Sequence, residues 1–404
     1  MKYIILVGDG MGDLPLSDLN GRTPLEAANI PVMDHLCQHG ELFRLQTIPT
    51  GMHPGSDIAN LSLLGYEPQH FYTGRAPLEA ASMGVNLAEG ETAYRCNLVT
   101  LEKNAEGSLV MVDFSAGHIP TAESNILIKG LQDELGSDWF RFYPGIGYRH
   151  LMIYKNSLPD LETMPPHDYI GQDVSEFWER YMQYPELQLL LESSHKLLAN
   201  HPVNKQREEK SLHPANAIWL WGEGKAPTIP TIEEQFGLKG SLISAVDLLK
   251  GIGTYGGLDI INVEGATGYL DTNYSGKAAA ALKALCEQDF IFVHVEAPDE
   301  AGHQGSVPDK VRAIEDFDSK IVKPIFKGLQ SMEGTDFRLV VCMDHFTPIS
   351  IRTHLDKPVP VLLYDSRQQG PESGLSYSEE NGEKSDNLLS SGRDFFNKLL
   401  QKDT

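Results

Sequence analysis

Val293-His294-Val295-Glu296-Ala297-Pro298-Asp299-Glu300-Ala301-Gly302-His303 carries an apolar run, Phe290 to Val295, straight into an acid and an imidazole. A short run rich in valine and phenylalanine reads as a buried strand, and a strand apolar on both faces belongs to a covered, parallel sheet. Open α/β sheets hold their ligands just beyond the carboxyl ends of such strands. Asp299 and His303 stand four positions apart, so a helical turn after Pro298 would put both side chains on one face. Later in the chain, Phe337 to Met343 runs into Asp344-His345-Phe346-Thr347-Pro348, and Arg352-Thr353-His354 follows.

Any one Asp-x-x-x-His is common by chance, and a single histidine beside an apolar run is more often a packed or surface residue. The conjunction says more. Asp299, His303, Asp344, His345 and His354 offer mixed carboxylate and imidazole donors, which suit a divalent transition ion such as Mn²⁺ or Zn²⁺. Two ions would need further oxygen ligands from elsewhere. Lys2 to Val7 reads as another buried parallel strand, and it ends in Gly8-Asp9-Gly10-Met11-Gly12-Asp13. The lone Gly-x-Gly lacks the third glycine of a dinucleotide fingerprint. Asp9 at a strand end is the expected extra ligand.

In Pro54-Gly55-Ser56-Asp57-Ile58-Ala59-Asn60 the serine reads as the N-cap of a helix running to about Leu64. A serine at a helix N-terminus beside a metal can also ionise and attack phosphorus, because ion and dipole both stabilise the alkoxide. Gly74-Arg75-Ala76 sets Arg75 nearby in sequence, as a clamp for phosphate or carboxylate or as a surface cation.

The chain's 404 residues, 41% of them hydrophobic, suffice for two domains with separate cores. A formal net charge of −23 argues against nucleic acid and anionic membranes as partners, and a phosphorylated substrate would need a local cationic site. The four cysteines have no paired spacing, and Met1 to Val7 lacks the length and cleavage site of a signal peptide. No stretch is apolar enough to span a bilayer. The expectation is a cytoplasmic protein.

Taken in order, Gly-Asp9-Gly-Met-Gly-Asp, Pro-Gly-Ser56-Asp-Ile-Ala-Asn, Glu-Ala-Pro-Asp299-Glu-Ala-Gly-His303, Asp344-His345-Phe-Thr-Pro and Arg-Thr-His354 resemble the archaeal-type cofactor-independent phosphoglycerate mutases, of the alkaline phosphatase superfamily. The resemblance runs through essentially the whole chain. It implies an α/β fold, a mostly parallel sheet flanked by helices, with an inserted α+β lid. It implies two divalent metal ions, Mn²⁺ first and Mg²⁺ or Zn²⁺ as substitutes. Asp299, His303 and His354 would bind one, while Asp9, Asp344, His345 and the nucleophile Ser56 would bind the other. The implied reaction interconverts 3-phosphoglycerate and 2-phosphoglycerate through a phosphoserine, which requires closure against water.

The change of pattern after about Gly84 sets the domains at 1–84 with 215–404, and at 85–214 for the inserted lid. Strands are expected over Tyr94–Leu101, Leu109–Phe114 and Tyr148–Tyr154, and helices over Thr121–Leu135 and Pro185–Asn200. His201 to His213 reads as an exposed connection or solvated face. Ala217 to Trp221 reads as the strand that returns to the parallel sheet.

Arg95, Arg149 and Arg207, with Lys225, are the candidate lid cations for the substrate. Asp113-Phe114-Ser115-Ala116-Gly117-His118 departs from the Asp-Arg-Arg-Ala-Gly-Arg of archaeal mutases. Phe114, Ser115 and His118 stand where that pattern has arginines, and His118 with Asp113 would favour a zwitterionic acceptor. That departure resembles a bacterial branch proposed to act as homoserine kinases. The alternatives to the mutase are therefore such a phosphotransferase, from ATP to a small alcohol, or a phosphatase on the same site.

Overall fold

A computed structural model describes residues 1–158, 161–368 and 373–401. It divides into two compact units, Met1–Tyr72 with Thr228–Thr404, and Thr73–Pro227. Five elements of the first unit recur below: β1 (Lys2–Gly8), α1 (Ser56–Leu63), β2 (Phe290–Val295), α2 (Ala297–Gln304) and β3 (Phe337–Cys342).

The first unit is built on an eight-stranded sheet. β1 lies at its centre, parallel to β2 on one side and to β3 on the other, and Gly240–Ile243 continues the parallel order beyond β2. Val359–Asp365 joins β3 antiparallel, so the sheet is mostly rather than wholly parallel. The apolar runs explain this placement: Ile4 to Val7, Phe290 to Val293 and Leu339 to Val341 have no exposed surface. A strand with no polar face can only lie inside a covered sheet. Register then does the rest. Gly8 pairs with Val295 and Val7 with Cys342, so the chain leaves all three strands at one level.

The second unit has a five-stranded sheet centred on Thr92–Lys103, which pairs antiparallel with Leu109–Asp113, Arg149–Tyr154 and Ala217–Gly224; Phe140–Ile146 pairs with Arg149–Tyr154. The helices Thr121–Leu135 and Pro185–Asn200 fall on the residues expected. Trp219 is wholly buried in this unit's core, its indole N–H donating to the Met164 carbonyl at 3.0 Å.

Three expectations need correction. Ala217–Gly224 does not return to the parallel sheet: it is the antiparallel neighbour of Thr92–Lys103, and five of its residues are buried in sequence because both faces of that sheet are covered. With that strand and the helix Arg75–Ser82, the unit extends beyond 85–214 at both ends. The polar run after His201 forms a helix, Pro202–Glu209, in which Asn204 and Arg207 are buried. Asn204 donates inward to the Leu198 and Ala215 carbonyls at 2.9 Å each, while Lys205, Gln206, Glu208 and Glu209 are exposed and form the expected solvated face. No helix among the described residues is long and apolar enough to cross a membrane.

Candidate active site

At the carboxyl end of β1, Asp9 follows the last strand residue and is 1% exposed. Gly10 adopts a left-handed backbone (φ +58°), and a Cβ there would stand 2.5 Å from Asp299 Oδ1 and 2.6 Å from Thr347 Oγ1. Only glycine lets the Asp9 loop approach the next two segments so closely. α2 begins at Ala297 after β2, with Pro298 in its first turn, where the missing N–H is no loss. Asp299 and His303 share its face as the spacing predicts, with His303 Nε2 3.2 Å from Asp299 Oδ2. Beyond β3, Asp344 and His345 are fully buried.

These side chains converge. Asp9, Asp344 and His345 form one group whose ligand atoms lie within 4.8 Å of one another, and Asp299, His345 and His354 form a second. His345 belongs to both groups. His303 adds to the second, its Nε2 3.0 Å from His354 Nε2. Ser56 Oγ lies 3.1 Å from His345 Nε2. Ser56 is the first residue of α1 and not its cap; that place is Gly55, and no side chain bonds there. Its hydroxyl is therefore available for chemistry instead of closing the helix.

The electrostatics fit a divalent cation. Burial, then the charges of Asp344, Asp299 and Glu296, push the Asp9 carboxyl well above its ordinary value. Asp9 Oδ1 is buried without any hydrogen-bond donor. His294 Nε2 stands 2.9 Å from Asp9 Oδ2, an ion-pair distance without the alignment of a hydrogen bond. Burial alone would also raise Asp299, but His303 and His354 outweigh it and hold that carboxyl well below its usual range. His303 is raised to about 9, first by its bond to Asp299. Three buried carboxylates among imidazoles, one with an orphan oxygen, make a donor set for a hard-to-borderline divalent ion.

Residues that the motifs did not single out hold this cluster in place. Thr347 donates its hydroxyl to Asp299 Oδ1 and stands 3.1 Å from His345 Nδ1. Lys310, with no exposed surface, donates to the Gly12 carbonyl at 3.0 Å, the Thr347 carbonyl at 2.8 Å and Asp13 Oδ2 at 2.8 Å. It ties the loop after β1 to the loop after β3. Behind Asp13, Glu379 accepts its backbone N–H at 3.2 Å and the Thr23 hydroxyl at 2.8 Å. A buried lysine in an amphipathic helix is the one signal of this support in the sequence, and it is indistinguishable there from a surface lysine.

In the second unit, the Arg95 guanidinium lies over the Trp221 ring at 4.0 Å and its Nε is 3.1 Å from Glu79. Burial, partly offset by Glu79, lowers its pKa, and the charges of Arg75 and Arg149 lower it further. Arg75 and Arg149 are thus near enough for their charges to act on Arg95. Arg149 lies 5.7 Å from the Tyr148 ring. His118 is exposed, beside Phe114 and Tyr148. Lys225 is exposed too, and its carbonyl accepts from Thr73. Asp113 turns back on its own loop, accepting from Ser115 N and Oγ at 2.7 and 2.6 Å. Arg207 does not join the cation group. Its donors go to Glu123 and to the Ala116 and His213 carbonyls, in the interior of the unit.

Comparison with known proteins gives this geometry its context. Residues 37–204 match the 2,3-bisphosphoglycerate-independent phosphoglycerate mutase family. A Geobacter sulfurreducens protein described as a probable mutase of that kind is 48% identical over 402 residues, covering 100% of both chains. A Methanosarcina barkeri protein described as the mutase is 49% identical, covering 95% of each. The solved cofactor-independent phosphoglycerate mutase from Thermoplasma acidophilum superposes with a TM-score of 0.66 at 27% identity, over 99% of both chains. A solved Pyrococcus horikoshii protein gives 0.80 at 27% identity, over 100% of this chain and 98% of that one.

Proposed function

The chain belongs to the 2,3-bisphosphoglycerate-independent phosphoglycerate mutase family, and from that premise we propose that it interconverts 3-phosphoglycerate and 2-phosphoglycerate through a phosphoserine at Ser56. The observation that carries this reading is Ser56 Oγ at the head of α1, 3.1 Å from His345 Nε2, with the hydroxyl not used as a cap. Asp9, Asp344, His345 and Ser56 would hold one divalent ion, and Asp299, His303 and His354 the other. Mn²⁺ is the proposed ion. When bound, such ions supply the positive charge that favours a serine alkoxide and offsets the phosphate oxygens.

The rest of the chemistry falls to the chain. Ser56 Oγ gives up its proton and forms a bond to phosphorus as the P–O bond to the substrate's C3 oxygen breaks, and that oxygen takes up the proton. A phosphoryl group on Ser56 would sit at the N-terminus of α1, where the helix dipole favours negative charge. The glycerate then presents its C2 hydroxyl, which loses a proton as it takes the phosphoryl group back; that proton goes back to Ser56 Oγ as the Oγ–P bond breaks. Arg75, Arg95 and Arg149 are proposed to hold the substrate's carboxylate and phosphate. Arg forks bind such groups in a bidentate way. Asp113, His118 and Lys225 stand as weaker candidates, and Arg207, with its donors engaged, is left out.

A ³¹P NMR time course of Mn²⁺-loaded protein with 3-phosphoglycerate and no nucleotide tests the reading. The expected result is a growing 2-phosphoglycerate signal that Ser56→Ala abolishes in a variant that remains folded. Inorganic phosphate alone would make the protein a phosphatase, and turnover retained in Ser56→Ala would end the phosphoserine route.

A further inference from the structure

Asn60 has no exposed surface, and its side-chain amide uses both of its N–H groups. One donates to the Ser56 carbonyl at 2.9 Å, the other to Asp344 Oδ2 at 2.9 Å. Neither acceptor can donate, so the amide cannot be turned the other way round. Its own oxygen, Oδ1, is buried with no donor. A purely structural asparagine would have no reason to bury an unsatisfied carbonyl; this one keeps it while both N–H groups serve the site.

The two bonds close a ring. Asp344 Oδ1 already accepts from the Gly10 and His345 backbone N–H groups, at 3.0 and 2.9 Å. Oδ2 takes Asn60 and lies 3.4 Å from His345 Nε2. His345 Nε2 in turn faces Ser56 Oγ at 3.1 Å. Asp344 is left with one oxygen, Oδ2, whose remaining lone pair can meet a cation, and Asn60 fixes the direction of that lone pair. The same amide sets the height of the first turn of α1, and with it the serine.

We propose that Asn60 is a positioning residue that locks the Ser56 hydroxyl to the ligand oxygen of Asp344, so that nucleophile and ion site keep one geometry. The proposal rests on the reading of Ser56 as nucleophile. It goes beyond that reading, because Asn60 closes the serine motif without the attack by Ser56 itself calling for a donor there. The spacing alone is suggestive: four residues after Ser56, Asn60 lies on the same face of α1.

The test is Asn60→Leu, which keeps the volume and removes the donors, with Asn60→Ala as a second variant should the first not fold. Three quantities are read on the full-length protein: the Mn²⁺ dissociation constant, by titration, and kcat and KM with 3-phosphoglycerate. Mn²⁺ binding is expected to weaken about 10-fold and kcat to fall about 100-fold, with KM changed by less than about threefold. A parent-like Mn²⁺ constant and kcat in a folded variant would overturn the proposal, as would a change confined to KM. Should the parent protein not interconvert the phosphoglycerates, the mutase reading falls, and the Mn²⁺ titration still decides the role of Asn60.

Discussion

The acid and imidazole cluster of the parallel-sheet unit and the guanidinium cluster of the 73–227 unit are built on opposite terms. In the first, Asp9, Asp344 and His345 are at most 1% exposed, and Asp344 and His345 are held by neighbours from other segments. In the second, His118, Arg149 and Lys225 stand in solvent, and only Arg95 is both buried and tied. Ligands of an ion must be held to a fraction of an ångström, which needs rare residue types at strand ends and a packed support. Cations that attract an anionic substrate act at longer range and tolerate looser placement. The first region is therefore expected to fail abruptly on substitution, the second by degrees.

The largest effect should come from Asp344→Ala. Loss of turnover by about 1,000-fold or more, roughly 4 kcal/mol of barrier, is expected together with lower bound Mn²⁺ by elemental analysis. If Asp344→Ala cost less than Arg95→Lys, the contrast would be reversed. Next comes Lys310→Met. It leaves Asp13 as an unpaired buried charge, and chemical denaturation should report a loss of about 3 kcal/mol or more. An unchanged midpoint would mean that the two ligand loops do not depend on this knot.

Glu379 behind Asp13 sharpens the point through pH. Burial pushes its carboxyl from an ordinary value near 4.5 up to about 7. The folded protein thus holds this proton more tightly than the unfolded chain does, and the stability so gained is complete below about pH 4.5 and lost as pH rises through 7. Glu379→Gln should therefore raise the Tm at pH 8, by at most about 3 kcal/mol of stability, and make no difference near pH 4. A Tm gain equal at both pH values would rule this titration out. The smallest effect belongs to Arg95→Lys, which keeps the charge but loses the planar fork over Trp221: KM should rise about 10-fold, or about 1.4 kcal/mol, with kcat nearly unchanged. Steady-state kinetics separates the two outcomes.

The same contrast explains what could be read from the chain before its fold was known. Asp9, Asp299, Asp344 and the three histidines were legible because an apolar strand running into Asp or His is an uncommon conjunction, and all of them meet at the end of β1, β2 and β3. The division of ligands was less so, since His345 faces both groups and only coordinates reveal a shared residue. Arg207 has the charge pattern of a solvated helix, while Glu123 and two carbonyls absorb its donors in the interior, partners that lie far away in sequence. Ala217–Gly224 was misplaced because a strand buried on both faces looks alike in a parallel sheet and in a covered antiparallel one. Asn60 and Thr347 sit inside quoted motifs without an expected role, and Lys310 lies outside every motif. Their importance lies in partners far away in sequence.

The position of β1 between β2 and β3 also governs how the protein is made. Its partners on either side are Phe290–Val295 and Phe337–Cys342. During synthesis at about 5–20 residues per second, the first strand must wait about 15–60 s for either neighbour to leave the ribosome. The Thr73–Pro227 unit, with its own sheet and core, emerges whole in that interval. The order of assembly is thus inverted relative to the order of synthesis: the middle of the chain folds first, and the opening strand, with Asp9 at its tip, is claimed last.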